Sequence, residues 1–288
     1  MAFQLPGGLV DEDGTVHDWV VLAPLSGFAE KMVAAGNGIP SPVLVTSLLS
    51  RCIEQIGGID QVSEELVRRL LVGDRLFLLL KLREMTFGRQ IQAVARCSFP
   101  DCGAKVDIDF HTDSIPVIRA PQTSLLHTMR LSTEAGGQPV TFRLPNGEDQ
   151  EMLGHLLDCD EELTADCLLA RCVESLDGGR QPVKAEIMGS AAAKAEIEQE
   201  MERLAPKIGA NFAALCPECG RSFTVAFDLQ EFVLAELNTR LDLLLKEVHY
   251  LAFHYHWSEQ EILGMTREDR RRYIEVLSTE MERMHHAR

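Results

Sequence analysis

Two short segments of the chain each place a pair of cysteines on a turn, RCSFPDCG at 96–103 and CPECG at 216–220. In both segments a glycine follows the second cysteine and permits the backbone conformation that turns amides toward the sulfurs. Thiolates are ligands that Zn²⁺ prefers, and two such pairs complete a tetrahedral sphere that leaves no position for substrate or water. We therefore predict that one structural zinc ion is bound by Cys97, Cys102, Cys216 and Cys219.

Two other interpretations of these cysteines are a disulfide framework and unrelated pairs of reduced thiols. The framework is disfavoured because eight cysteines in 288 residues are few, and because MAFQLPGGLVDEDG lacks the basic and apolar regions of a secretory signal. The same features favour a protein that stays in a reducing cytoplasm. Unrelated pairs stay open as an alternative, since the first turn has the looser spacing of the two.

The other four cysteines lie in apolar helical patterns, where a free cysteine behaves as a small buried hydrophobic residue. Cys167 and Cys172 repeat the spacing of the first turn, but their segment CLLARCVESL contains no glycine. We therefore expect no metal site among Cys52, Cys159, Cys167 and Cys172.

Three histidines lie close together in HYLAFHYHW, at His249, His254 and His256. Three imidazoles can bind a metal, and an imidazole beside a carboxylate can transfer protons. On a helix, however, residues 249 and 256 share a face while 254 points elsewhere. An aromatic-rich end of a long helix is the interpretation that we favour. Because the sequence also lacks a phosphate-binding loop and the common hydrolase and metalloprotease motifs, we expect no enzymatic activity.

The chain is acidic, with 44 acidic and 28 basic residues and a net charge of −16. Such a charge repels a phosphate backbone at long range, so nucleic acid is a poor default partner. The one basic run, REDRRR at 267–272, also contains two acids and is predicted to lie on a helix surface or at an interface with an acidic neighbour. A zinc-ribbon module associated with nucleic acid or transcription remains the alternative function.

The elements that position the cysteines are predicted strands. In each segment apolar and polar residues alternate after the turn, as in a half-buried strand. The alternating residues are Val106, Ile108 and Phe110 in the first segment and Phe223, Val225 and Phe227 in the second. This knuckle-plus-strand unit is the only internal repeat that we identify in the sequence.

Around these strands the sequence predicts mostly helices. A hairpin is expected at 3–25 around the turn DEDG, and a helix is expected from Pro42 to Gly57-Gly58. A helix beginning near Gly147 should hold His155, Cys159 and Cys167, with a hinge at 177–179 after it. The segments AAAKAEIEQEMERL (191–204) and EFVLAELNTRLDLLLKEVHYLAFHYHW (231–257) have the composition of helices, the second a single long amphipathic one. The apolar run Leu76–Leu80 is too short to span a membrane.

The predicted fold class is α+β, mainly helical, with a four-cysteine zinc-ribbon-like β element and an inserted small α/β segment. The predicted organisation is an N-terminal β-hairpin arm at 1–25, a helical region at 26–96, zinc-ribbon-like knuckles and strands at 97–110 and 212–229, an inserted α/β domain at 111–211 and a C-terminal helical region at 230–288.

Several stretches of the chain resemble the baseplate proteins of contractile-tailed phages and of phage-tail-like contractile injection systems, in particular the hub and assembly proteins. The stretches are LLVGDRLFLLLKLREMTFG (70–88), CSFPDCGAKVDIDF (97–110), VTFRLPNGEDQEML (140–153), CPECG (216–220) and HYHWSEQEILGMTREDRRRYIEVL (254–277). The resemblance implies a structural or assembly role, with other baseplate, tube or spike proteins as partners. It does not imply the metal, which is predicted from the cysteine spacing alone.

Overall fold

The computed structural model describes residues 1–36, 38–154, 161–176, 189–209, 211–239 and 241–286. The predicted α+β class is confirmed, because helices accompany several small antiparallel sheets. The helices are α1 (Gly27–Ala35), α2 (Ser41–Cys52), α3 (Glu64–Arg69), α4 (Val72–Phe87), α5 (Gly147–Leu153), α6 (Glu161–Cys172), α7 (Ala191–Leu204), α8 (Leu229–Thr239), α9 (Leu241–Tyr255), α10 (Glu259–Gly264) and α11 (Arg267–His286), with a 3₁₀ turn at Thr112–Ser114. The strands are β1 (Ala2–Val10), β2 (Val16–Leu22), β3 (Ile53–Ile56), β4 (Gln90–Arg96), β5 (Lys105–His111), β6 (Val117–Ile118), β7 (His127–Arg130), β8 (Pro139–Phe142), β9 (Val173–Leu176), β10 (Lys207–Ile208), β11 (Asn211–Leu215) and β12 (Ser222–Ala226).

The chain divides into two compact units. Unit 1 consists of Met1–Leu22, Pro40–Leu78 and Pro116–Gly209. Unit 2 consists of Ala23–Ile39, Leu79–Ile115 and Ala210–Arg288. The domain boundaries given by the sequence stay a prediction. Among the described residues, no helix combines the length and the apolar character that crossing a membrane requires.

The predicted N-terminal hairpin is present in unit 1, and its sheet gains a third strand that was not predicted. Strands β1 and β2 pair antiparallel on either side of a turn in which the amide of Gly14 donates to the carbonyl of Asp11. The prediction that the second helix extends to Gly57-Gly58 is wrong. Helix α2 ends at Cys52, and the residues that follow form β3, which pairs with β2. The β-branched residues Ile53 and Ile56 are both buried there, which suits a strand better than a helix.

A second three-stranded sheet in unit 1 repeats the first. Val20 pairs with Ile56 in the first sheet, and Val140 pairs with Leu176 in the second. In both sheets the register shifts at the end of the central strand, at Leu22 and at Phe142. The segments SLLSRCIEQI at 47–56 and CLLARCVESL at 167–176 align residue by residue. The internal repeat is therefore longer than the knuckle-plus-strand unit that was predicted from the sequence.

A second repeated feature is a helix that begins at a capped glycine. Ser26 caps α1 before Gly27, and Asn146 caps α5 before Gly147. The amide of Gly27 donates to the carbonyl of Met265, and the amide of Gly147 donates to the carbonyl of Leu70. The segments that supply these carbonyls, SEELVRRLLVGDR at 63–75 and SEQEILGMTREDR at 258–270, share Ser-Glu at the start and Asp-Arg at the end with the same spacing.

Other predicted helices are confirmed in part. The helix at 191–204 is present as α7, and it buries Ala193, Ile197, Met201 and Leu204 in the core of unit 1. The long helix expected at 231–257 is described as α8 and α9, and Arg240 between them lies outside the described residues. His155, Cys159 and the expected hinge at 177–179 also lie outside the described residues.

Candidate metal centre

Two β-hairpins of unit 2 carry the four predicted cysteine ligands. Strands β4 and β5 flank the first turn, and β11 and β12 flank the second. The alternation predicted for the strands is confirmed, since Val106 and Phe223 are buried beside the cysteines. The strands of the two hairpins are paired in the same register. Ala93 pairs with Ile108 three positions before the last pair at the first turn, and Phe212 pairs with Val225 three positions before the last pair at the second.

The two turns have the same hydrogen bonds. The amide of Cys97 donates to the carbonyl of Ala104 at 2.8 Å, and the amide of Cys216 donates to the carbonyl of Arg221 at 3.0 Å. Each turn ends at a glycine in the left-handed region, with φ of 59° at Gly103 and 68° at Gly220. The predicted reason for these glycines is thereby confirmed, because a residue with a Cβ is strained in that conformation.

The four sulfurs converge on one point. All four lie within 4.8 Å of one another, and two of the distances between the hairpins are 3.8 Å, from Cys97 to Cys219, and 3.7 Å, from Cys102 to Cys216. Disulfide-bonded sulfurs would be about 2.0 Å apart. The edge of a sulfur tetrahedron around zinc, with Zn–S bonds of about 2.3 Å, is about 3.8 Å. The separations therefore fit a tetrahedral ion and exclude disulfides between these sulfurs.

The environment of the sulfurs is a very small core. Cys97 and Cys216 are buried and pack with Val106 and Phe223, while Cys102 and Cys219 are half-buried. An isolated two-stranded hairpin is at best marginally stable in water. Because each hairpin here has only two strands and this core is small, an ion shared between the turns would contribute a large part of their stability.

Arg221, which was not among the predicted site residues, connects the two turns. Its guanidinium donates to both carboxylate oxygens of Asp101, at 2.6 and 2.7 Å, and lies 4.0 Å from the ring centre of Phe99. A hydrogen bond from Arg221 also lowers the pKa of Cys219 to about 6, which favours the thiolate that a metal requires. Its contacts with Asp101 and Phe99 have no local sequence signal, because these two partners are more than 100 residues away in the sequence.

In the first turn the pKa values of the two thiols are raised, in contrast to that of Cys219. Burial, the largest cause, raises the pKa of Cys97, and so do the hydrogen bonds that its thiol shares with the facing Cys216 and Cys219. At Cys102 the hydrogen bond from the amide of Ala104 acts to lower the pKa, but burial and the neighbouring thiols outweigh it and raise the pKa to about 12. Binding of a divalent cation would therefore displace protons from this turn.

The histidine cluster does not form a comparable site. Helix α9 ends at Tyr255, after which His256 adopts a positive φ of 59°. The ring of Tyr255 stacks on Trp257, with centroids 4.6 Å apart, and the edge of Tyr273 packs against both. Within the described ranges, the cysteines are the one group of three or more possible ligands close enough to share an ion. The favoured interpretation of an aromatic helix end agrees with this arrangement.

A cluster of four thiolates that leaves no open position is typical of a structural metal site. A comparison with protein-family models finds a match to the family described as T4 bacteriophage base plate protein, over residues 42–234. This match covers well over half of the chain, which therefore belongs to this family of phage baseplate proteins, and the predicted resemblance is confirmed.

Residues 235–288, which contain α9 to α11, match a second model, described as a family of unknown function (DUF6760). A search of curated proteins gave no match, and a search of solved structures gave none either.

Proposed function

We propose that this chain is a structural component or assembly factor in the baseplate of a contractile phage tail or a phage-tail-like injection system, and that a structural zinc ion holds its two hairpins together. The observation that carries the zinc part is the convergence of four sulfurs at the spacing of a metal tetrahedron. Membership of the baseplate family supports the structural or assembly role. The protein acts without catalysis, and it is assembled into the particle in the cytoplasm.

The zinc ligands in this proposal are Cys97, Cys102, Cys216 and Cys219. With all four positions of a tetrahedron taken by thiolates, the ion binds neither substrate nor water. Structural zinc sites contribute about 10–16 kcal/mol of apparent binding free energy at neutral pH, and that energy acts as folding free energy. The alternative of a nucleic-acid module has no support from the family matches, and the charge of −16 opposes it.

The first experiment measures zinc in the purified protein and in the variants Cys97→Ser and Cys216→Ser. We expect one zinc per chain in the native protein and almost none in either variant, with loss of the cooperative thermal transition of unit 2. Cys167→Ser is the matched control, because Cys167 is a half-buried thiol in α6, outside the cluster. A native protein that contains no metal and still unfolds cooperatively would contradict the proposed zinc site.

We further propose that the C-terminal helices and the N-terminal hairpin contact neighbouring baseplate, tube or spike proteins. Phe253 in α9 is 67% exposed and Val276 in α11 is 58% exposed. Trp19 in β2 is 54% exposed. Exposed apolar side chains mark an interface where they form a contiguous patch. These exposures support the assignment of both elements as docking surfaces.

Complementation of a particle that lacks this protein tests the docking surfaces. The double variant Phe253→Ser/Val276→Ser and the single variant Trp19→Ser should each reduce the number of complete tails seen by electron microscopy while keeping the zinc content and the thermal transition. The exposed residue Leu163 in α6 provides a control, Leu163→Ser. Native numbers of tails with both docking variants would refute the assignment.

A further inference from the structure

The two hairpins of the metal centre repeat each other in register but differ at one pair of equivalent positions. Ala93 in β4 and Phe212 in β11 occupy the same place relative to their turns, opposite Ile108 and Val225. Phe110 in β5 and its equivalent, Phe227 beyond β12, both carry a phenyl ring. The second hairpin therefore has a phenyl ring, that of Phe212, where the first hairpin has only the methyl group of Ala93.

On the side of Phe212, the space between the hairpins is filled. The ring of Phe212 lies 4.3 Å from the ring of Phe110 and 6.0 Å from that of Phe227, in geometries usual for aromatic pairs. Phe110 and Phe227 are themselves 5.5 Å apart, edge to face. The space between the hairpins beside Phe110 therefore accommodates a phenyl ring from the neighbouring strand β11.

On the side of Ala93, the equivalent space is an open groove with a volume of about 590 Å³. The walls of this groove are formed by β4, by Ile108, by the segment from Thr224 to Asp228 and by Phe232. The ring of Phe227 packs against the ring of Phe232, with centroids 4.9 Å apart. On the side of Ala93, however, Phe227 lacks the ring from a neighbouring strand that Phe110 has in Phe212. A groove of this size is within the range of ligand-binding pockets.

The groove also follows free strand edges. Consecutive residues line it, 92–96 on one side and 224–228 on the other, whereas a groove over the face of a strand would contact alternate residues. Within the described part of the chain, β4 pairs only with β5 and β12 pairs only with β11. Free edges hold unpaired backbone donors and acceptors, to which an extended peptide can add as a further strand.

We propose that this groove binds an extended segment of another polypeptide, which lies along β4 and places a large aromatic side chain beside Ala93. The bound ring takes the position that Phe212 occupies on the equivalent side and packs against Phe227. Main-chain hydrogen bonds to the free edge provide affinity, and the aromatic residue provides specificity. The partner is thus recognised as a strand with one phenyl ring directed into the groove.

Strand β11 itself supplies a probe, because it already carries such a ring. The capped pentapeptide NFAAL, the sequence of β11, is titrated into the ¹⁵N-labelled full-length protein, in parallel with NAAAL, which lacks the ring. We expect amide shifts concentrated at 92–96 and 224–228 with NFAAL, and affinity reduced about tenfold or more with NAAAL, as expected for loss of a buried phenyl group.

Ala93→Phe tests the same groove from the side of the protein. The added ring should fill the groove and weaken NFAAL binding about tenfold or more, while the zinc content and the thermal transition stay native. Ala213→Phe is the matched control, because it adds the same ring at an exposed position of β11 outside the groove, and it should bind NFAAL as the native protein does. The comparison of NFAAL with NAAAL on native protein stands even if Ala93→Phe fails to fold.

Three outcomes would overturn the proposal. One is the absence of shifts along the groove with NFAAL, and another is equal binding of NFAAL and NAAAL. The third is broadening of the groove amides that depends on protein concentration without peptide, which would assign the groove to a second copy of this chain.

Discussion

Asp74 is a buried carboxyl group whose protonation is coupled to folding. It is fully enclosed in unit 1, and its Oδ1 accepts a hydrogen bond from the amide of Gly7 at 2.7 Å. Burial raises the pKa of Asp74 to about 7, although hydrogen bonds from Gly7 and Gly8 and the charge of Arg119 act in the opposite direction. The folded state therefore binds this proton more tightly than the unfolded state does.

The sign of the resulting pH dependence follows from linkage. Between the ordinary pKa of 3.8 and the folded pKa of about 7, the folded protein holds more protons, so stability decreases as the pH rises through this range. A difference of about three pKa units corresponds to a loss on the order of 4 kcal/mol above pH 7. Asp74→Asn should remove this loss, because the neutral amide oxygen still accepts from Gly7.

Urea unfolding of the native protein and of Asp74→Asn, measured from pH 4 to pH 8, checks this expectation. The variant should gain stability relative to the native protein as the pH rises. Asp113→Asn, at an exposed carboxyl group, serves as the control and should show a much smaller difference. A difference between native protein and Asp74→Asn that does not change with pH would contradict the role of Asp74.

At the scale of elements, Arg75 explains why α5 begins with a glycine. Its guanidinium is almost completely buried and donates to Pro42 O, Thr46 Oγ1 and Gln150 Oε1, each at 2.9 Å. A Cβ at Gly147 would lie 2.3 Å from Nη1 of Arg75. Since the arginine cannot shift without breaking these hydrogen bonds, the start of α5 has no space for a side chain at this position.

Gly147→Ala is therefore expected to destabilise unit 1 by about 1–3 kcal/mol, as overpacking does in other cores. The control is Gly264→Ala in α10, where a Cβ would meet nothing within 4 Å. That change should leave stability unchanged or raise it by up to about 1 kcal/mol, because alanine is the better helix former. Chemical denaturation of both variants measures the difference, and equal stabilities would refute this account of the glycine.

At the scale of the whole chain, Arg270 connects the C-terminal helices to the start of the sequence. It is fully buried and forms ion pairs with Glu30 in α1, at 2.7 Å, and with Glu247 in α9, at 2.9 Å. Residues 240 positions apart are thereby joined in unit 2. The prediction that the run REDRRR lies on a helix surface is wrong for Arg270, because it is buried, and also for Arg267, which is buried too. Arg75 occupies the equivalent place in unit 1 but has neutral partners in Gln150 and Thr46.

Removal of Arg270 should be costly, because it leaves the buried carboxylate of Glu30 and the half-buried carboxylate of Glu247 without this cation. Arg270→Met is expected to lower the free energy of unfolding of unit 2 by about 3–5 kcal/mol. The double variant Arg270→Met/Glu30→Gln should recover part of this loss. Arg271→Met, at the exposed neighbouring position, is the control and should cost less than about 0.5 kcal/mol. Equal losses of unfolding free energy for Arg270→Met and Arg271→Met in urea would refute the importance of the ion pairs of Arg270 with Glu30 and Glu247.

Much of the metal centre follows from local sequence. The glycines after Cys102 and Cys219 indicate tight turns because only glycine adopts positive φ without strain, and both turns are present. Alternation of apolar residues predicts the strands that follow, because side chains of a strand point alternately to its two faces. These features depend on a few adjacent residues, so they could be identified without knowledge of the fold.

Long-range packing decided what the sequence alone left open. The strand at Ile53–Ile56 was expected to be helical, because its pairing with β2 has no local signal. The contacts of Arg221 with Asp101, of Arg75 with Gln150 and of Arg270 with Glu30 join residues that are distant in the chain. The groove beside Ala93 is likewise a property of the packing. It is identified by comparison with the equivalent space of the repeat, which the ring of Phe212 fills.

The sequence by itself determined the turns that present the four thiols and the α+β class of this baseplate-family protein. Only the tertiary structure decided that the four sulfurs meet, which buried arginines hold the helices together and where a strand edge is left free. The physical reason is that turn and strand conformations depend on neighbouring residues, whereas convergence and burial depend on packing between distant parts of the chain.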